Sequence, residues 1–175
     1  MTQAKSLAGN FTSAKLLKIY LLDFMAITFI YFLPALSHLT SLPLYLIDPM
    51  RIAVLFCLIH TNRKNAFLIA ITLPIFSLIV SSHPAVFKTI LIAAELVINL
   101  FLFYFLIKKM NVFFAMFLSI MFSKILYYSG KYLFLQMGLV DGKLISTSLI
   151  IQLVVMIGLS LYAAIIFKRI AGNQT

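Results

Sequence analysis

The chain has 175 residues, of which 63% are hydrophobic and 10% are charged, and its mean hydropathy is +1.11. A soluble domain of this length would have to expose large apolar patches, so the composition excludes a water-soluble class and predicts an integral membrane protein. The formal net charge of +10 is explained by membrane topology, and we expect no nucleic-acid partner.

Six apolar segments follow one another, separated by short polar connectors. Because backbone polar groups cannot stay unpaired in lipid, and about 20 apolar residues cross a bilayer, these segments are predicted to be helices. The first is too long for a signal peptide and contains Asp23, so we expect it to be retained. The predicted fold class is an all-α integral membrane protein with six transmembrane helices, at residues 16–40, 44–60, 66–81, 86–107, 112–137 and 147–167.

The second and third segments are predicted to be short helices. Asp48 followed by Pro49 has the pattern of an N-cap and a first helical residue, so regular helix is expected from Pro49 to His60. That helix would span about 18 Å and the third about 24 Å, against a hydrocarbon core of about 30 Å. Either the pair forms a hairpin near the cytoplasmic leaflet, leaving an outward depression, or it is an ordinary tilted pair kinked at its prolines.

Positive residues predict the orientation. The connectors at 81–84 and 138–146 contain one Lys or Arg between them, Lys143, whereas the second and fourth connectors, at 61–65 and 108–111, and the chain ends are basic. By the positive-inside rule both termini are predicted to be cytoplasmic, with tails at 1–15 and 170–175 around a transmembrane domain at 16–169. The cations on the cytoplasmic side are Lys5, Lys15, Lys18, Arg63, Lys64, Lys108, Lys109, Lys168 and Arg169.

Four charged residues face one another across the fourth and fifth segments. The connector at 108–111 is so short that the two helices must be antiparallel neighbours, and Glu95 and Lys124 are then equidistant from the turn, as are Lys88 and Lys131. Glu95 would lie about 14 Å below the outer end of its helix. An isolated charge at that depth is costly, so a buried salt bridge between Glu95 and Lys124 is predicted.

The outer pair, Lys88 and Lys131, has two interpretations. The two lysines hold an anion between them, or each extends its ammonium to the interface while its stem covers apolar surface. Tyr127 and Tyr128 lie between the lysines of the fifth helix and would stack on a planar ligand or pack against neighbouring helices.

Other polar residues are given structural roles. Asp48 and Arg51, three residues apart, are predicted to bridge each other at a helix start. Asp23 is expected to be a structural partner or a contact for another subunit, and Cys57 a packing residue. The sequence has no metal-ligand spacing, nucleophile motif or nucleotide-binding loop, so we expect neither a cofactor nor an enzyme.

The chain resembles the substrate-binding S components of energy-coupling factor (ECF) vitamin transporters, which are small six-helix membrane proteins with cytoplasmic termini. The resemblance covers the second to sixth helices and is best in HPAVFKTILIAAELVINLFLFYFLIKK, residues 83–109. The chain departs from that family in two ways. The Ala-x-x-x-Ala spacing of the first helix occurs only at Ala4 and Ala8, and no glycine occurs at 10–129.

The resemblance implies capture of a vitamin or similar micronutrient from outside the inner or plasma membrane. It implies as partners a transmembrane coupling subunit and two cytoplasmic ATPases, and a site built by the last three helices and the outer loops. Alternatives are a noncatalytic structural subunit of an envelope-assembly complex and, less in keeping with six unrepeated helices, an ion-coupled carrier. The candidate substrate-binding residues are Lys88, Glu95, Asn99, Lys124, Tyr127, Tyr128, Lys131 and Gln152.

Overall fold

A computed structural model describes residues 2–41, 44–81, 85–145 and 147–172, and all regular structure in these ranges is helical. One 3₁₀ turn, Leu44–Ile47, lies between the first two helices. The six α-helices are α1 Thr2–Thr40, α2 Pro49–His60, α3 Arg63–Ser81, α4 Val86–Leu106, α5 Val112–Gln136 and α6 Leu149–Gly172. The all-α prediction is confirmed.

Five of these helices are long and apolar enough to cross a membrane, and α2 is shorter. The bundle exposes large apolar side chains such as Phe24, Ile79 and Ile150, while Arg51, Glu95 and other polar residues are buried. Polar groups inside and apolar groups outside suit a bundle surrounded by lipid rather than water. The fold therefore indicates a multi-pass membrane protein.

The helix boundaries confirm one short helix and correct the other. Helix α2 begins at Pro49 and ends at His60, as predicted. Helix α3 begins at Arg63, earlier than predicted, because the side chain of Asn62 accepts a hydrogen bond from the backbone N–H of Asn65 and so caps the first turn. With 19 residues, α3 is about 28 Å long, so the prediction of a short third helix is wrong.

Helix α4 packs against both α3 and α5. Helix α6 packs against α5 and α2, and α1 packs against α2 and α3. The 3₁₀ turn contacts both α1 and α6. The buried apolar cluster includes Leu73 of α3, Leu100 and Phe103 of α4, Met116 of α5 and Ala163 of α6.

Candidate functional site

A cavity of about 600 Å³ lies between the helices, towards the end of the bundle where α4 begins and α5 ends. We call this the cavity end, and the end with the α4–α5 turn the opposite end. Each of the six helices and the 3₁₀ turn contributes lining residues. Such a volume is in the usual range for small-molecule sites, so the bundle encloses space of a size that a solute needs.

Four charged side chains of this cavity form a closed set of contacts, which we call the charged tetrad: Asp48, Arg51, Glu95 and Lys124. Asp48 Oδ2 lies 3.1 Å from Arg51 Nε and 3.2 Å from Lys124 Nζ. Glu95 Oε1 accepts a hydrogen bond from Arg51 Nη2 and lies 3.7 Å from Lys124 Nζ. Positive and negative groups alternate around the tetrad, so its four formal charges cancel.

Arg51 is the most enclosed member of the tetrad. It is 2% exposed, and its long side chain extends from the first turn of α2 to Glu95 on α4. Its Nη1 atom has no hydrogen-bond partner among the described residues. A buried guanidinium N–H without an acceptor loses hydration energy, so the ion pairs with Asp48 and Glu95 are what stabilise Arg51 at this position.

Asp48 occupies an unusual backbone position. Its φ of 57° and ψ of 58° lie in the left-handed region, and its side chain makes no capping hydrogen bond to α2. The prediction of a side-chain N-cap is therefore wrong, because the carboxylate contacts Arg51 and Lys124 instead. The predicted bridge between Asp48 and Arg51 is confirmed, but within a larger set of contacts that ties α2 to α4 and α5.

Lys88 also lines the cavity, from the first turn of α4. It is partly exposed and makes no hydrogen bond or ion pair with any described residue. Its charge therefore adds to a tetrad that is already neutral.

The aromatic and amide side chains of the site come from α5, α6 and the 3₁₀ turn. Tyr127 and Tyr128 line the cavity, with their ring centroids 5.3 Å apart in an edge-to-face arrangement. Gln152 of α6 is 9% exposed, and its Nε2 donates to the backbone oxygen of Thr147. The 3₁₀ turn contributes the aromatic side chain of Tyr45 to the lining.

Most of the predicted site residues are brought together. Lys88, Glu95, Lys124, Tyr127, Tyr128 and Gln152 line the cavity. The predicted contact between Glu95 and Lys124 is confirmed at 3.7 Å.

Asn99 and Lys131 lie elsewhere. Asn99 is buried in the helix interface and its Nδ2 donates to Ser119 Oγ at 3.0 Å. Lys131 is 3% exposed, and its ammonium donates to the backbone oxygens of Lys143 and Leu144, at 2.7 and 2.9 Å. The structure thus holds Lys131 against the α5–α6 connector rather than extended to an interface.

Sequence reasoning treated Asp48 and Arg51 as a local pair and missed their part in the cavity. A usable signal existed in the sequence. Asp48 and Arg51 are charged residues at the start of a short apolar helix, and Asp48 is one carboxylate more than the predicted Glu95–Lys124 pair uses. The contribution of α1, through Ile30, Leu33 and Pro34, had no such signal because apolar residues occur all along that helix.

Comparisons with protein-family models, with curated proteins and with solved structures found no match for this chain. Among the described residues, no three His, Cys, Asp or Glu side chains are grouped as a metal site requires. The cavity and its charges are therefore the features of this chain that point to a function.

Proposed function

We propose that the protein is the membrane-embedded, substrate-binding subunit of an ECF-type importer, and that it captures a small micronutrient with an anionic group from outside. The observation that carries this proposal is the cavity, in which the charged tetrad and Lys88 converge on enclosed space. Charged groups within membrane helices are costly, and they are retained where they pair or serve a ligand or ion.

The composition of the cavity supports a solute rather than an ion as the cargo. Small-molecule sites are mostly apolar with a few placed polar groups, and here Ile92, Met156 and Leu159 adjoin the charged residues. Tyr127 and Tyr128 offer ring faces and hydroxyl groups on the same side as Lys124.

The proposed direction of capture depends on topology. With six membrane helices and cytoplasmic termini, the cavity end faces outward and the basic turn at 108–111 faces the cytoplasm. A test uses Cys57→Ala as background, with single cysteines introduced at Lys143 or Lys109, and a membrane-impermeant thiol reagent on intact cells. Labelling of the first and protection of the second is expected, and the reverse pattern would place the cavity end inside.

The binding function is tested by native mass spectrometry of the gently purified protein and of small molecules released from it. Lys88→Ala is compared with Lys64→Ala, a matched loss of an exposed lysine at the opposite end. We expect a stoichiometric small molecule in the unmodified protein and in Lys64→Ala, and its loss from Lys88→Ala.

The partners are tested in the same preparation. A co-purifying transmembrane subunit with two ATPases supports the importer, and ATP-dependent uptake of the released compound would complete the assignment. Copurification of envelope-assembly proteins, with no solute retained by any variant, would instead favour a noncatalytic structural subunit.

A further inference from the structure

The two sides of the cavity differ in chemistry. Every charged lining residue belongs to α2 with its preceding residue, to α4 or to α5. Helix α1 contributes Ile30, Leu33 and Pro34 together with a serine, and α6 contributes three apolar side chains deeper than Gln152, namely Val155, Met156 and Leu159. A ligand that fills this space therefore meets a charged wall on one side and an apolar wall on the other.

The formal charges of the described lining residues do not cancel completely. The tetrad has two carboxylates and two cations, each in contact with groups of opposite sign. Lys88 has no such contact with a described residue, so the described lining has one positive charge in excess. A ligand with one negative charge would neutralise this excess.

One cation of the charged wall has no described acceptor, the ammonium of Lys88. An acid group that reaches it would supply oxygens through charge-assisted hydrogen bonds.

We propose that the cavity selects an amphipathic solute with one net negative charge, whose acid group lies at Lys88 and whose apolar body lies against α1 and α6. This inference rests on the proposed function in taking the cavity as a solute site. It goes further by assigning the charge and shape class of the solute.

Asp48 and Glu95 determine the charge selectivity in this proposal. Both carboxylates line the cavity, and they already form ion pairs with the two cations of the tetrad. A second negative charge on the ligand would have to compete with them, so a dianion is disfavoured by repulsion. A neutral solute of the same shape leaves the excess charge at Lys88 without a partner.

The test measures binding of three probes with similar aromatic bodies to the purified full chain, by thermal-shift titration at neutral pH. The probes are phenylbutyrate as the monoanion, phenylbutyramide as the neutral compound and phenylsuccinate as the dianion. We expect the monoanion to bind on the order of tenfold more tightly than the other two.

Two substitutions change the charge of the cavity in opposite directions. Lys88→Gln should abolish the advantage of the carboxylate over the amide. Asp48→Asn should improve binding of the dianion relative to the monoanion, and Asn tolerates the left-handed conformation at this position. Glu95→Gln makes the same charge change on a different helix, and Lys64→Gln, outside the cavity, should leave the order of the probes unchanged.

The inference is overturned if the amide binds as well as the carboxylate, if the unmodified protein prefers the dianion, if Asp48→Asn leaves the preference unchanged, or if none of the probes binds. These failures are distinguishable from failure of the proposed function. A neutral or dianionic compound released from the protein in stoichiometric amount would keep the binding subunit and refute the monoanion.

Discussion

Two polar clusters lie at opposite ends of this bundle, and they differ in what surrounds them. At the opposite end, Asp23 Oδ1 accepts from Asn65 Nδ2 at 2.6 Å and lies 3.8 Å from Cys57 Sγ. This carboxylate is held by neutral donors where α1 packs against α2 and α3. At the cavity end the charged tetrad adjoins a cavity of about 600 Å³. A polar group within a membrane helix thus indicates a binding site only where the helices also leave space beside it.

Lys88 and Lys131 repeat this contrast within the cavity end. Both lie at the same predicted distance from the α4–α5 turn, yet Lys131 donates to two backbone oxygens while Lys88 lines the cavity without a described partner. Depth alone does not separate the two lysines. The difference comes from the connector that folds over one of them.

Arg51→Met should have the largest effect on stability. The substitution removes the guanidinium that contacts both Asp48 and Glu95 and leaves these two carboxylates largely buried. Loss of one partner of a buried ion pair lowers the free energy of unfolding by about 3–5 kcal/mol. Unfolding of the purified protein in detergent, followed by heat or denaturant, measures the change. The matched control is Arg63→Met, which removes an exposed guanidinium that lies 4.6 Å from the Tyr104 ring centroid and should cost about 0.5–1 kcal/mol.

A second variant tests whether the charges of the tetrad explain that loss. Combining Arg51→Met with Glu95→Leu removes one cation and one carboxylate together, and it should recover part of the stability lost by Arg51→Met alone. If the double variant is no more stable than the single one, packing of the arginine stem, rather than unpaired charge, explains the destabilisation.

Lys131→Met should destabilise the protein by about 1.5–3 kcal/mol, because a charged donor to two backbone oxygens is lost. Lys88→Met should change stability by about 0.5 kcal/mol or less and yet abolish retention of the anionic solute. Unfolding and native mass spectrometry on the same preparations separate the two effects. Equal destabilisation by both substitutions would mean that the two lysines have equivalent environments, against the contrast drawn here.

The fold followed from the sequence where the physical signal was local. Apolar length predicted the helices, Pro49 predicted the start of α2, and the short connector predicted that Glu95 and Lys124 meet. The start of α3 was predicted wrongly because the capping amide of Asn62 lies outside the apolar pattern that defined the segment.

The site was predicted only where two helices were related by one short turn. Arg51 and Glu95 are 44 residues apart, and no periodicity relates them, so their contact required the packing of α2 within the bundle. The carbonyls that hold Lys131 come from a connector without regular structure, whose path depends on tertiary contacts. Asn99 shares a helix face with Glu95, but its amide donates to Ser119 on the facing helix instead of contributing to the cavity.

Asn99→Ala tests the assignment of that amide to packing. Loss of its hydrogen bond to Ser119 should destabilise the protein by about 1 kcal/mol, the usual size for polar contacts between membrane helices. Because Asn99 does not line the cavity, solute retention should be unchanged in native mass spectra. Loss of the solute from a folded Asn99→Ala protein would show that the binding site extends deeper along α4. Ser119→Ala, which removes the other half of the bond, should have a similar effect on stability.

Asp23→Asn should have the smallest effect, and it compares the two ends of the bundle most directly. An asparagine keeps an oxygen that accepts from Asn65 Nδ2, and neutral donors surround Asp23 closely, so stability should change by about 0.5 kcal/mol or less. The equivalent substitution at the cavity end, Asp48→Asn, removes a charge that contacts two cations and should alter which ligand charge is bound. Thermal unfolding and probe binding of the two variants side by side measure both effects. If Asp23→Asn changed probe selectivity as much as Asp48→Asn, the two clusters would be energetically coupled along α2, which carries both Arg51 and Cys57. Space beside a charge would then no longer distinguish a binding site from a packing contact.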